Sequence, residues 1–511
     1  MHFLKSIFKP LFATSLILCL TIHGHAEVGI RLSQDYPGYW SYNGKTTLLI
    51  GAWNHGHNPF LDHSTLDGGG YKDSSTREEI IAALDELALY GGNLIRCVLD
   101  PGAAAGNQGF DFCRKVDGRY DLNHMEGRFW DRLDWFLNET KKREIVVGLE
   151  IWDRFDWYEG GHEGWPGSPF NPRNNLNYTS ESSGLAEFYP GKGDQSENPF
   201  GHTTPKQSYY LESSMERKAQ LDLVRGYQEL FMDRLLSITF DYDHVLYSAN
   251  NEVRHQEPAW GQYWIAYLRS AAELAEKTVL CTDMFWDLLH IPDSEGFEYQ
   301  LRHLNHYDYL DISQTSAHPQ NNELTPEQAG EVHWAKVRFA AEKAHQANRL
   351  IHLNKIYGSP SRTGGWMGSA QNAVEEFWRS LIVGAAGARF HRPDAGLGLS
   401  KKTQIQMRAV RLVEEQVQFW EVNSAQDLLI EREDNEAYLA ANPGQKYLIY
   451  FPLGGSVGLD LRPFNNASFK VDWISVSNGE SGHSDTVRGG GYTTLTTPGN
   501  QGWVATIVAS D

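Results

Sequence analysis

The chain has 511 residues, a net charge of −20 and no long run of lysine or arginine. That length is too great for one ordinary core and suits a large barrel plus a smaller module. The charge argues against nucleic acid and anionic membrane surfaces as partners.

The first residues read as a processing segment. Lys5 and Lys9 give a positive start, Leu11 to Ile22 is mostly apolar, and Gly24-His25-Ala26 supplies small residues at cleavage spacing. The apolar run is short for a bilayer span. The expectation is a signal peptide over residues 1–26, export to the periplasm or medium, and no membrane insertion of the mature chain. Cys97, Cys113 and Cys281 then remain. Three cysteines without CxxC spacing give neither a disulfide framework nor a metal motif. A Cys97–Cys113 bridge is one option; buried free thiols are the other.

Tyr39 to Lys45 reads as a hairpin with an Asn43-Gly44 turn. From there short apolar strands alternate with amphipathic helices. Thr47–Ala52 is the first strand, running into Trp53-Asn54-His55-Gly56-His57. Thr76 and Glu79 form a capping box, and Ile80, Leu84 and Leu87 share one helical face. Asn93–Leu99 is the second strand and carries Arg96. Phe129, Leu133 and Phe136 mark the next helix. Glu144–Ile151 is the third strand, ending at Trp152-Asp153-Arg154.

A long insertion over 153–210 follows. Its aromatic residues Trp165, Tyr178, Phe188 and Tyr189 predict an ordered substrate wall. A helix covers roughly Ser214 to Leu236. Val245–Ala249 is the fourth strand, ending at Asn250-Asn251-Glu252. Thr278–Thr282 is the fifth, ending at Asp283. Asp311–Ser316 is the sixth, ending at His318. Thr325-Pro326-Glu327-Gln328 opens another helix. Leu350–Leu353 is the seventh strand, ending at Asn354-Lys355-Ile356-Tyr357. Ile382–Phe390 is the eighth, ending at His391-Arg392, and a final helix spans about Lys402 to Val422.

Eight strand–helix units predict a (β/α)8 TIM barrel over 27–422. In that fold reacting groups stand where strands end. From about Asn423 the spacing changes to short strands with glycine turns, predicting a β-sandwich over 423–511. The dipeptide Asn–Glu is weak by itself, since Asn138-Glu139, Asn322-Glu323 and Asn435-Glu436 repeat it. Glu252 differs by closing an apolar strand in the middle of the repeat.

These residues resemble the clan of barrel glycoside hydrolases with catalytic groups on strands four and seven. There the fourth strand ends in Asn–Glu, as Asn251-Glu252 does. The resemblance implies that Glu252 is the acid/base and that Asn251 bonds the sugar 2-hydroxyl. It also implies that Arg96 supports the catalytic carboxylates. The stretch Phe377-Trp378-Arg379-Ser380-Leu381-Ile382-Val383-Gly384-Ala385-Ala386-Gly387 looks like the passage into strand eight of apiosidase-related members. Tyr450-Phe451-Pro452, Asp460-Leu461, Asp472-Trp473 and Gly502-Trp503-Val504 are similar to their C-terminal sandwich, often labelled collagen-binding. Fold does not carry function, so that label implies no collagen partner here.

One position departs from the pattern. The clan ends strand seven with a nucleophilic Glu, and this chain has Lys355 there. A lysine forms no glycosyl ester, so the retaining double displacement loses its nucleophile. Glycosidic cleavage normally takes two carboxyl groups. Glu252 as acid and Asp153 as base form the expected pair, with Asp156, Glu150, Asp283 and Asp100 as competitors for the second place. Trp53, His55, Trp152, Asp283, His318, Lys355, Tyr357 and His391 join Asn251 and Arg96 as expected substrate contacts. No metal and no cofactor is expected: the histidines lack HxxxH or HExxH spacing. The expected partner is an oligo- or polysaccharide. Two other readings stand beside hydrolysis. One is a non-catalytic carbohydrate-binding relative. The other is a lyase on an acidic polysaccharide, with Lys355 neutralising a uronate or acting as base.

Overall fold

The structure is a computed structural model. It describes residues 28–54, 59–60, 76–99, 112–157, 164–189, 198–205, 215–253, 258–316, 324–358, 367–393 and 395–510. Eight parallel strands form one sheet. In chain order they are Leu49–Gly51, Leu94–Val98, Val146–Asp153, Val245–Asn251, Cys281–Thr282, Leu310–Asp311, Ile351–Ile356 and Gly387–Phe390. Numbered one to eight, they lie in the order 5-4-3-2-1-8-7-6. A parallel bridge between Met284 and Asp311 joins the two ends of that order and closes the barrel. Nearly all of these strand residues are buried, as parallel strands covered by helices must be.

The local signals in the sequence hold where they are strong. Thr76 caps the helix Arg77–Leu89 with a full capping box, and Ile80, Leu84 and Leu87 are its buried face. Thr325 and Gln328 do the same for Pro326–Gln346. Asn43 and Gly44 both take positive φ between strands Trp40–Tyr42 and Lys45–Thr47, the geometry of a tight hairpin turn.

Four elements differ from expectation. Strand eight begins only at Gly387, because Ile382 ends the helix Ala370–Ile382 and Gly384 turns the chain at φ 97°. Strand six is two residues long; Ser313–Ser316 winds into a 3-10 turn capped by Asp311. The last helix stops at Glu414, and a separate 3-10 turn covers Phe419–Glu421. In the insertion, Trp165, Tyr178 and Tyr189 are buried, so they pack rather than line a wall. Trp165 sits 5.8 Å from Phe200 and 6.0 Å from Tyr189. Phe188 alone of the four is exposed.

Beyond the barrel, a six-stranded antiparallel sheet starts at Asn423 and faces a three-stranded one. Leu439, Phe451, Leu459, Val471 and Trp473 are in its core. Its edge strand Ser481–Arg488 is almost wholly exposed and shows no apolar alternation, so it left no mark in the sequence pattern. The sandwich packs on barrel helices: Trp378 stacks on Tyr450 at 5.6 Å. Cys97, Cys113 and Cys281 are buried free thiols. Among the described residues no helix is long and apolar enough to cross a membrane.

Candidate active site

Strand four carries Asn250 and Asn251 buried to its end, and Glu252 follows at φ 57°. A left-handed backbone is uncommon outside glycine and costs about 1–3 kcal/mol. Val253 secures it, donating to Met284 O at 2.7 Å and accepting from Trp286 N at 3.2 Å. The turn leaves the Glu252 side chain 15% exposed at the barrel mouth, whereas Asn251 stays buried.

Every oxygen of that carboxylate meets a donor. Oε1 accepts from Lys355 Nζ at 2.6 Å and from Gln314 Nε2 at 2.9 Å, with the Tyr357 hydroxyl at 3.5 Å. Oε2 accepts from Arg154 Nη2 at 2.8 Å. Burial alone would raise the carboxyl's pKa. The ammonium and guanidinium override it and hold Glu252 far below the usual carboxylate range. That favours the ionised carboxylate over the protonated form an acid would need. Burial pulls Lys355 down, and Glu252 opposes that pull.

The same network fixes Asn251. Its Oδ1 accepts from Lys355 Nζ at 2.6 Å and from Arg96 Nη2 at 3.1 Å, and its Nδ2 donates to Asp153 Oδ1 at 3.1 Å. Both acceptor positions of the Asn251 oxygen are thus filled from within the protein, and the side chain is buried. Arg96 makes a two-pronged bond to Glu150, at 2.6 and 2.5 Å, rather than to Glu252. Asp153 Oδ1 also accepts from Phe155 N at 3.0 Å. Strand pairing sets Asp153 directly beside Asn251, which explains why it orients that amide.

The other expected contacts divide. Lys355 and Tyr357 join the Glu252 network, although Lys355 is only 2% exposed. His391 is buried against the Tyr357 ring at 5.2 Å. Burial and the cations Arg392, Arg96, Lys355 and Arg389 keep its imidazole neutral. Trp53 is buried. Trp152 is also buried, 5.2 Å from Trp264, in an aromatic cluster under the insertion. Asp283 is buried too, accepting from Asn250 N at 3.1 Å and Nδ2 at 3.0 Å; burial pushes its pKa up to about 8. These three are parts of the packed interior, not of an open surface. His55 and His318 lie outside the described residues. Among the described residues no group of three or more His, Cys, Asp or Glu is placed to hold a metal.

Two members of the network went unnamed as site residues in the sequence: Arg154 and Gln314. Arg154 directly follows strand three. Gln314 lies three residues after strand six. The rule that reacting groups stand at strand ends covers both positions, but nothing local marks their side chains.

No family model matches the chain, and no curated protein matches it. Solved structures do. A glycoside hydrolase family 5 protein from Bacteroides vulgatus ATCC 8482 aligns over 94% of this chain and 93% of its own, at 14% identity and TM-score 0.58. A second glycoside hydrolase aligns over 94% of this chain and 97% of its own, at 12% identity and TM-score 0.58. At that coverage the likeness takes in barrel and sandwich together. It shows a shared fold.

Proposed function

We propose that this protein is an exported glycoside hydrolase acting on O-glycosidic bonds of an oligo- or polysaccharide, with Glu252 as its central carboxylate. The observation that carries the reading is the seating of Glu252. It closes strand four of a glycosidase-type barrel, raised into the mouth by a left-handed turn. Its ionised state suits a base or nucleophile, not a proton donor. Hydrolysis by inversion follows most simply: Glu252 takes a proton from a water that attacks the anomeric carbon. The acid that protonates the leaving oxygen then stands on the opposite face of the sugar, about 6.5–9.5 Å away. Lys355 and Arg154 both touch Glu252, so neither is that acid. Asp153 serves as a positioning residue through Asn251.

One observation favours a second reading. Lys355 sits where the resembled clan has its nucleophile and neutralises Glu252. This would suit a glycan-binding relative without catalysis. One experiment separates the two. Mature protein is incubated with a panel of plant and microbial polysaccharides, and reducing ends are counted. The hydrolase reading expects release by the wild type and none by Glu252→Gln. Binding without release by either protein would leave the second reading. An unsaturated product absorbing in the near ultraviolet would point instead to a lyase. N-terminal sequencing of exported protein, expected to begin after Ala26, tests the export reading.

A further inference from the structure

A second cleft lies far from Glu252. It has a volume of about 620 Å3 and is lined by Tyr36, His345, Asn348, Trp420, Asn423 and Lys446, among others. Strand seven shows its distance from the mouth. Arg349 of the cleft stands two residues before that strand begins, while Lys355 stands near its other end. The cleft is therefore at the opposite end of the barrel, where the sandwich joins it.

Its lining pairs aromatic rings with unspent polar groups. The Trp420 and Tyr36 rings are half-buried, 6.4 Å apart, and Tyr39 meets Trp420 edge-on at 6.1 Å. Among the described residues, the Tyr36 hydroxyl, the Trp420 indole N–H and the Asn348 and Asn423 amides make no hydrogen bond within the chain. His345 Nε2 is buried and also lacks a partner. A side chain at Gly38 would come within 3.3 Å of that nitrogen; glycine there keeps the space beside it open. Burial holds the imidazole neutral, so it can donate or accept.

The cations in the cleft are already met, and Asp35 stands exposed at its edge. Lys446 pairs with Glu421. Arg349 donates to the carbonyls of Tyr307, Leu304 and Asn348. The volume is in the range of small-molecule sites, and a ring face beside amides, a hydroxyl and an imidazole matches a sugar's apolar face and its hydroxyls. We infer that this cleft is a second carbohydrate site, taking a short stretch of neutral glycan and holding the polymer away from the reacting centre. The inference shares with the proposed function only the premise that the ligand is a glycan.

Affinity electrophoresis of the full mature chain in gels containing soluble glucan, mannan, xylan or arabinan tests it. The wild type should be retarded by at least one of them. Trp420→Ala and Asn348→Gly should each weaken retardation about tenfold or more, as truncating one anchor of a small site does. Asn348→Gly keeps the left-handed backbone that Asn348 holds at φ 53°, so it should leave the melting temperature and cleavage of short oligosaccharides near wild type. The Asn348 side chain is exposed, so its glycine variant stands even if Trp420→Ala unfolds. Glu252→Gln should be retarded like the wild type, whether or not cleavage is lost. Absence of retardation in the wild type would overturn the inference. So would retardation unchanged in both cleft variants, or lost in Glu252→Gln alone.

Discussion

Lys355 Nζ stands 2.6 Å from Glu252 Oε1 and 2.6 Å from Asn251 Oδ1. One ammonium thus ties strand seven to strand four at the mouth of the barrel. It occupies the place from which, by resemblance, an acidic nucleophile would act. Its charge also bears on the neighbouring carboxylate, whose pKa it lowers.

Lys355→Met keeps much of the side-chain volume and removes the cation. Breaking a buried pair from one side costs about 3–5 kcal/mol, because the other charge stays behind. Denaturant unfolding should show a loss on that scale. The double variant Lys355→Met/Glu252→Gln should recover only part of it, since the buried Arg154 guanidinium then loses the carboxylate it faces. Equal losses in the single and double variants would mean that the pair contributes through packing alone.

Acid should weaken the fold through Glu252. Its folded pKa lies below its ordinary value of 4.5. The ion cage therefore contributes fully above that value, and its contribution is lost as pH falls toward the folded value. Unfolding free energies from about pH 5 down to pH 3 should fall more steeply in the wild type than in Glu252→Gln. Parallel curves would contradict the assignment.

Asp283 should act with the opposite sign. Burial raises it from 3.8 to about 8, so the folded chain holds a proton that the unfolded chain releases. Its effect is to lower stability progressively as pH rises from 3.8 through about 8, with no further change above. Asp283→Asn should flatten that part of the stability profile and leave the rest unchanged. Denaturant curves at a series of pH values from about 5 to 9 read it directly.

Gly261 tests how tightly strand four is backed. A side chain there would place its Cβ 1.9 Å from Asp283 Oδ2 and 3.0 Å from Asn250 Nδ2. Neither atom has room to retreat, since both residues are buried. Gly261→Ala should destabilise the protein by about 1–3 kcal/mol, as overpacking does. The gain in helix propensity, about 1 kcal/mol, offsets only part.

The sequence discloses what is local. Thr76 with Glu79 and Thr325 with Gln328 each write a helix start into four residues, and both helices begin there. Strand four is a short buried run, and Glu252 stands at its end as expected. Strand eight is harder, because the apolar run Ile382–Phe390 suits a helix end as well as a buried strand. Side-chain partners are harder still. Arg96 binds Glu150 rather than Glu252, and Arg154 reaches Glu252 from strand three. Those choices depend on register between strands fifty to a hundred residues apart. The buried indoles of Trp53 and Trp152 read the same in sequence as exposed ones would.

The central claim is that Glu252 is an ionised carboxylate between two cations. The most direct measurement is a carbon-13 titration of glutamate carboxyl groups, taken as the difference between wild type and Glu252→Gln. The Glu252 resonance is expected to keep its ionised position throughout neutral and mildly acidic pH, moving only well below 4.5. A resonance that titrates near neutrality would show a proton-donating acid and contradict the account.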